Sequence, residues 1–273
     1  MAKQLRLDAE LVRRGLVGSR AEARRAIEAG LVVVRGLPAT RVATMVSSAD
    51  ALALTGPPRR FVSRGGDKLD GALDRLTVEV AGRRWLDAGA STGGFTDRLL
   101  QGGAAAVIAL DVGYGQLAWS LRGDDRVTVL ERTNIRTVDP GRLPWRPDGV
   151  VADLSFISLT LVVPALAALA AERSDFVVMV KPQFEVGKEN IGKSGVVSDP
   201  ALWLESVQSV VAKAAVCGLA FVGATASDVP GPAGNREFFV HLHRAGPHNR
   251  EARVQETSAE HAIARAIGEA VRH

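Results

Sequence analysis

Four ionisable side chains interrupt stretches that otherwise read as buried. Lys68 stands in "SRGGDKL", at the start of a helix that leads into the first strand of an alternating pattern. Asp153 ends the fourth strand in "VVADLSF", and Lys181 ends the fifth in "VVMVKPQFE". Glu237 opens a late strand in "NREFFV". Each has a plain structural alternative: Lys68 on a solvated helix, Asp153 capping the next helix, Glu237 on a sheet edge. Lys181 resists such a reading, because four strand residues that should be buried on both faces precede it. Two lysines and two carboxylates together suit proton removal from a hydroxyl. A hydroxyl is a poor nucleophile at neutral pH and needs a base or a cation beside its developing alkoxide. Lysines placed together lower each other's proton affinity, and neighbouring carboxylates orient both.

A second constellation lies in "LDAGASTGGFT", residues 86–96. Gly89, Gly93 and Gly94 let the backbone turn tightly and approach a ligand closely. The helix that follows offers free N–H groups. Asp111 ends the next strand, 24 residues after Asp87, where a carboxylate accepts from ribose hydroxyls. A nucleoside-containing cofactor fits. The dinucleotide fingerprint G-x-G-x-x-G does not, because the spacing here is Gly89-Ala90-Ser91-Thr92-Gly93-Gly94. Asp87, just before the loop, suits the positive amino-acid end of a ligand better than a pyrophosphate. The arrangement resembles that of S-adenosylmethionine-dependent methyltransferases. On that reading Asp87, Gly89, Ala90, Ser91, Thr92, Gly93, Gly94 and Phe95 line the cofactor. Asp111 and Val112 take its ribose side, Asn134 lies near the adenine, and Asp153 borders the reacting end. No metal is expected.

The elements that must position these residues alternate. Strands are predicted in "RRWLDAG", "AAAVIALDVG", "VTVLERTN", "DGVVADLSF", "DFVVMVKPQFE", "AFVGATASD" and "NREFFVHLHR". Helices are predicted from Gly94 to Gly102 and in "QLAWSLRGD", "LTLVVPALAALAAE" and "ALWLESVQSVVAKAAVCG". This alternation predicts an α/β, doubly wound, Rossmann-like sheet with helices on both faces. Ligands of such sheets lie beyond the carboxyl ends of the strands, where the residues above fall.

The first sixty residues differ in character. They hold 11 Lys/Arg against 5 Asp/Glu, a net of +6 in a chain of +4, so the remainder carries −2. A basic head on a near-neutral body suits a polyanion. Leu7, Leu11 and Val12 fall at helical spacing, with Asp8 near the start and Gly15 at the end. Ser19 and Glu22 form a predicted capping box for a second helix that runs to Gly30. Arg20 and Arg24, four residues apart, share a face and could grip successive phosphates. "LVVVRG" reads as a short strand. The stretch "SRAEARRAIEAGLVVVRG" resembles the S4 RNA-binding domain, a small α+β fold, over about residues 4–55. The resemblance implies contact with structured RNA through shape and phosphates. It implies Arg6, Arg20 and Arg41 as contacts, with Arg13, Arg14 and Arg24 behind them and Arg64 at the start of the body.

Composition bounds the remaining choices. The chain has 273 residues, with 47% hydrophobic and 23% charged content, enough for a core and more than one minimal domain. Gly and two prolines in "TGPPRRF", residues 55–61, break the chain. The predicted domains are therefore 1–58 and 64–273, joined by a linker at 59–63. The single Cys217 cannot form an internal disulfide and fits a reducing cytosol. The charged N-terminus lacks a signal-peptide core. "LTLVVPALAALAA" is too short to span a bilayer. A cytoplasmic location is expected.

In order, Lys68, Asp153, Lys181 and Glu237 match the Lys-Asp-Lys-Glu tetrad of FtsJ-like (RrmJ-like) RNA ribose 2′-O-methyltransferases. With the S4-like head, "DVGYGQL" and "ADLSFISL", nearly the whole chain resembles the TlyA family, also called hemolysin A. Ser91-Thr92 stand where the parent FtsJ pattern commonly has Pro. The resemblance implies S-adenosylmethionine as cofactor and methylation of cytidine ribose in 16S and 23S ribosomal RNA within the 30S or 50S subunits, at the subunit interface. It also implies susceptibility to capreomycin-type antibiotics. Two other readings stand beside it: an RNA-binding assembly factor with an inactive methyltransferase fold, and a membrane-active hemolysin. An intact tetrad opposes the first. The lack of a spanning or long amphipathic basic segment opposes the second.

Overall fold

The computed structural model describes residues 4–55, 60–192, 194–231, 233–244 and 256–272. The chain divides into two compact units, Met1–Ser63 and Arg64–His273. The predicted break at 55–61 falls largely outside the described residues.

In the first unit, β1 (Gln4–Arg6) runs directly into α1 (Leu7–Arg13), and α2 spans Arg20–Glu28. The strands β2 (Val32–Val34), β3 (Leu37–Pro38), β4 (Met45–Ser47) and β5 (Leu52–Leu54) follow. β1 pairs with β4, and β2 lies between β3 and β5, all antiparallel. Leu7 and Leu11 of α1 and Ala23 and Ile27 of α2 are fully buried, the i, i+4 spacing that builds one apolar stripe per helix. Ser19 caps α2 by accepting from the Glu22 N–H at 3.2 Å. Glu22 returns the bond to the N–H of Gly18 at 2.9 Å, one residue earlier than in the predicted box.

The second unit opens with α3 (Arg64–Arg75), β6 (Arg84–Ala88), α4 (Gly94–Gln101), β7 (Ala106–Leu110), α5 (Trp119–Arg122) and β8 (Val127–Leu130). It continues with β9 (Gly149–Ala152), α6 (Val163–Leu169), β10 (Ser174–Val180), α7 (Pro182–Glu185), α8 (Pro200–Val216), β11 (Ala220–Ala226), β12 (Phe238–Arg244) and α9 (Glu256–Arg272). Among the described residues its strands form one sheet in the order β11-β12-β10-β9-β6-β7-β8. β6 to β10 are parallel, β12 is antiparallel to β10, and β11 is antiparallel to β12. Consecutive residues such as Val107 and Ile108, or Val150 and Val151, are all fully buried. Successive strand side chains point to opposite faces, so both faces of the sheet are covered, as the doubly wound reading requires.

Several boundaries differ from the prediction, each for a local reason. The single helix expected over "LTLVVPALAALAAE" is a turn of 3-10 helix at Leu159–Leu161 followed by α6. Pro164 lies in the first turn of α6, where its missing N–H costs nothing. The strand expected to run through "VKPQFE" stops at Val180, because Pro182 starts α7. The helix expected over "QLAWSLRGD" shrinks to α5. α9 was not expected. Its buried Ile263, Ala266, Ile267 and Ala270 mark one helical face against β11 and α8.

Candidate active site

Strand register brings the tetrad to one edge of the sheet. Val180 pairs with Phe238, so Lys181 and Glu237 each stand one step beyond the same rung. Asp153 follows Ala152, which pairs with Val178 and with Ala88. Ala88 in turn pairs with Leu110, and Leu110 with Leu130. The carboxyl ends of β7, β6, β9 and β10 therefore present Asp111, Gly89, Asp153 and Lys181 in a row. β12, being antiparallel, adds Glu237 from its amino end. The crossing between β6 and β9 is the point where the strand order reverses, the usual crevice of such a sheet.

The four tetrad residues form two ion pairs. Lys181 Nζ lies 2.5 Å from Asp153 Oδ1 and donates to Ser155 Oγ at 3.2 Å. Lys68 Nζ, from α3, lies 2.5 Å from Glu237 Oε2. Lys68 is 8% exposed and Glu237 2%. The sequence suggested two lysines acting on each other, whereas each ammonium has its own carboxylate. Ser155 was missed. Its signal was its place two residues after Asp153, on the loop leaving β9.

Asp87 is fully buried beneath the glycine loop. Its Oδ2 accepts from both the N–H and the hydroxyl of Thr96, at 2.9 and 2.7 Å. It thereby ties the end of β6 to the first turn of α4. Its Oδ1 is buried without a hydrogen-bond partner. Burial pushes the carboxyl up to about 7, and the negative charges of Asp153 and Asp111 add to the rise, against the two bonds from Thr96. Asp111 Oδ2 accepts from the Ser91 N–H at 2.8 Å, and its Oδ1 from the Gly113 N–H at 2.6 Å. Gly89 adopts φ +87°, and a Cβ there would stand 2.5 Å from the Asp153 carbonyl oxygen. Only glycine lets the two loops approach so closely. Ser91, Arg132 and Phe156 also adopt positive φ, one in each loop leaving β6, β8 and β9. Such strain persists where the surroundings hold it, commonly at ligand sites.

These features fit S-adenosylmethionine. Asp87 and Asp111 flank the glycine turn with a buried acceptor to spare on Asp87, and a ligand carrying an ammonium and ribose hydroxyls supplies the donors they can accept from. Gly93, with φ +96° at the N-cap of α4, leaves the loop without a side chain at its closest turn. Ala90 and Gly94 are buried within the same turn, and Thr92 accepts from the Ala118 N–H. Val112 and Asn134 are exposed beside Asp111. Asn134 Oδ1 accepts from the Arg136 N–H at 3.0 Å. Phe95 departs from the expectation of a lining residue. Its ring packs against Phe239 in the core at 6.0 Å, because α4 turns its buried face to the sheet there.

The basic head also organises its arginines in pairs. Arg6 and Arg20 both bind Asp8 (closest approaches 3.0 and 2.9 Å). Arg13 and Arg14 both bind Glu10, at 2.6 and 2.8 Å. Arg20 is thus coupled to Arg6 and not to Arg24, which pairs with Glu28 at 3.4 Å. Arg14 departs from the expectation of an RNA contact. It turns inward and donates to the carbonyls of Asp50, Ser47 and Ser48, closing the turn between β4 and β5. Arg41 is exposed. Arg64 donates to the Pro230 carbonyl at 2.9 Å.

Comparison with known proteins agrees with this geometry. Residues 61–244 match the model of the FtsJ-like methyltransferase family, and residues 5–52 match the S4 domain. The chain is 54% identical over 270 residues to the 16S/23S rRNA (cytidine-2′-O)-methyltransferase TlyA of Mycobacterium tuberculosis, covering 98% of this chain and 99% of that one. It is 35% identical over 239 residues to Hemolysin A of Brachyspira hyodysenteriae, covering 87% of this chain and 99% of the other. A solved structure of a hemolysin-named protein from Streptococcus thermophilus covers 100% of this chain and 98% of its own, at 38% identity and a TM-score of 0.76. The chain belongs to the FtsJ-like methyltransferase family and carries an S4 domain ahead of its methyltransferase fold.

Proposed function

We propose that this protein methylates the ribose 2′-hydroxyl of cytidines in ribosomal RNA, with S-adenosylmethionine as methyl donor. The observation that carries the reading is the Lys181–Asp153 pair at the strand-end edge, one loop away from the glycine turn. When bound, the cofactor supplies an electrophilic methyl group on a sulfonium. Asp87, Asp111 and the turn from Gly89 to Gly94 hold it through its cationic and ribose groups. Lys181 faces the attacking 2′-oxygen. Lys181 takes the hydroxyl proton as its neutral amine, and the ammonium so formed pairs with Asp153 and holds the developing alkoxide. Ser155 keeps the Lys181 amine aimed along one direction. Lys68 and Glu237 flank the same edge and orient the ribose.

Phe156 adjoins this pair, is 92% exposed, and leans on Phe184 at 5.4 Å between ring centroids. A base lifted from an RNA strand stacks on such a ring. Arg6, Arg20 and Arg41 of the S4 unit dock the RNA by its phosphates, supported by Arg13, Arg24 and Arg64. The substrate is ribosomal RNA within the ribosomal subunits, in the cytoplasm. Among the described residues no helix is long and apolar enough to cross a membrane. Mapping 2′-O-methyl groups on ribosomal RNA from strains with and without the gene tests the reading. Gene-dependent loss of a cytidine methyl is expected, and identical maps would sink it.

A further inference from the structure

Asp8 is a carboxylate on a face proposed to bind a polyanion. It is 5% exposed, and it opens α1 with Oδ1 accepting from the Ala9 N–H at 3.0 Å. Two arginines from different elements converge on it. Arg6, at the end of β1, donates through Nε to Oδ1 at 3.0 Å and through Nη2 to Oδ2 at 3.4 Å. Arg20, the first residue of α2, donates to Oδ2 through Nε at 3.2 Å and through Nη2 at 2.9 Å. Burial favours the neutral carboxyl, but the hydrogen bonds and charges of the two guanidiniums outweigh it and hold Asp8 below the ordinary carboxylate range. The arginines themselves stay accessible, with side chains 47% and 61% exposed. Each guanidinium has five N–H donors, so both retain outward donors once Asp8 is served. Glu10 holds two arginines as well, but one of them, Arg14, is turned inward to close a turn. Of these two forks among the described residues, the Asp8 fork leaves both of its cations exposed.

We propose that Asp8 is a positioning residue that pre-organises Arg6 and Arg20 into one phosphate-gripping unit, so that removing its negative charge weakens RNA binding. The proposal rests on the RNA-docking role given above to these two arginines. Simple charge counting gives the opposite sign, since a protein less negative by one unit should bind a polyanion more tightly. The opposing effect is the ordering of two rotamer-rich side chains, which Asp8 completes before RNA arrives. Holding the fork is expected to matter more.

The experiment titrates purified 30S and 50S ribosomal subunits with the full-length chain at one fixed salt concentration. Asp8→Asn keeps the acceptor for Ala9 but loses the charged fork. It is expected to bind about fivefold more weakly, the scale of ordering one or two long side chains. Arg20→Ala should then cost less in the Asp8→Asn background than alone, because part of its contribution is already gone. Arg20→Lys keeps the charge but not the fork and should lose nearly as much as Arg20→Ala, which tests the idea even if Asp8→Asn fails to fold. Unchanged or tighter binding by folded Asp8→Asn, additive losses, or wild-type binding by Arg20→Lys would each overturn the proposal. If Arg6→Ala and Arg20→Ala themselves bind like wild type, the docking role is what fails.

Discussion

Lys68 and Glu237 are separated by 169 residues of chain and meet as a buried ion pair of 2.5 Å between α3 and the start of β12. Removing one partner of such a pair leaves an uncompensated buried charge, at a cost of about 3–5 kcal/mol. The burial of this pair sets its variants apart from those of an exposed contact. Glu237→Ala and Lys68→Ala should each lower the melting temperature by about 10 °C, on the order of 2–4 °C per kcal/mol for a unit of this size. Lys68→Met combined with Glu237→Leu should recover most of the melting temperature and none of the activity. Calorimetry on the four proteins checks this, and singles that melt like wild type would show the pair to be a solvated contact.

Lys181→Ala should abolish turnover while leaving the fold intact, because its neighbours Asp153 and Ser155 lie on a partly open loop. The loss expected for a general base is about 10²–10⁴-fold. Asp153→Ala should fall nearly as far, Ser155→Ala less. The measurement is the single-turnover rate with labelled cofactor on ribosomal subunits. A rate above about a tenth of wild type for Lys181→Ala, well inside that range, would show that another group removes the proton.

Three strand ends were legible because a polar residue directly follows a buried run: Asp111, Asp153 and Lys181. Pairing was less legible, since it depends on sheet order. β12 lies between β10 and β11, and only that insertion brings Glu237 beside Lys181 and within reach of Lys68. The one signal for Ser155 was its place two residues after Asp153, and a lone serine on a loop does not by itself mark a partner for Lys181. Charge in the head was readable as a sum and misleading in detail. The spacing of Arg20 and Arg24 suggested a shared grip, but a buried carboxylate outcompetes helical adjacency and draws Arg20 to Arg6. Phe95 looked like part of the cofactor turn because it follows two glycines, yet the helical period turns it to the core. α9 had a readable i, i+3, i+4, i+7 stripe from Ile263 to Ala270 and was overlooked beside the polar stretch before it.

The Asp87 carboxyl makes cofactor binding pH-dependent. In the unfolded chain it loses its proton near 3.8, whereas in the folded protein it keeps it up to about 7. The raised value favours folding below the unfolded pKa, and that advantage is lost as pH rises to about 7. A cationic ligand reverses the sign, because it binds the ionised carboxylate best. Affinity for S-adenosylmethionine should therefore rise as pH climbs from about 6 to 8, bracketing that value. Asp87→Asn should flatten the profile and raise the pH at which the apo protein begins to lose stability. Isothermal titration at four pH values decides it. A wild-type profile as flat as that of Asp87→Asn would remove Asp87 from the cationic end of the cofactor.

Phosphate contacts made by the S4 unit should appear as a steep salt dependence. Each phosphate neutralised by an arginine releases counterions, so the logarithm of affinity falls linearly with the logarithm of salt concentration. Arg6→Ala and Arg41→Ala should each reduce that slope by about one contact's worth. Both should leave S-adenosylmethionine affinity alone, because the cofactor turn belongs to the other compact unit. Arg14→Ala should behave differently. Its guanidinium holds three backbone carbonyls, so the variant should destabilise the S4 unit and leave the salt slope per folded molecule unchanged. A truncated chain beginning at Arg64 should bind cofactor normally and methylate ribosomal subunits poorly, with the deficit growing as salt rises. Methylation by that truncated chain equal to full length at every salt concentration would show that docking resides in the methyltransferase unit itself.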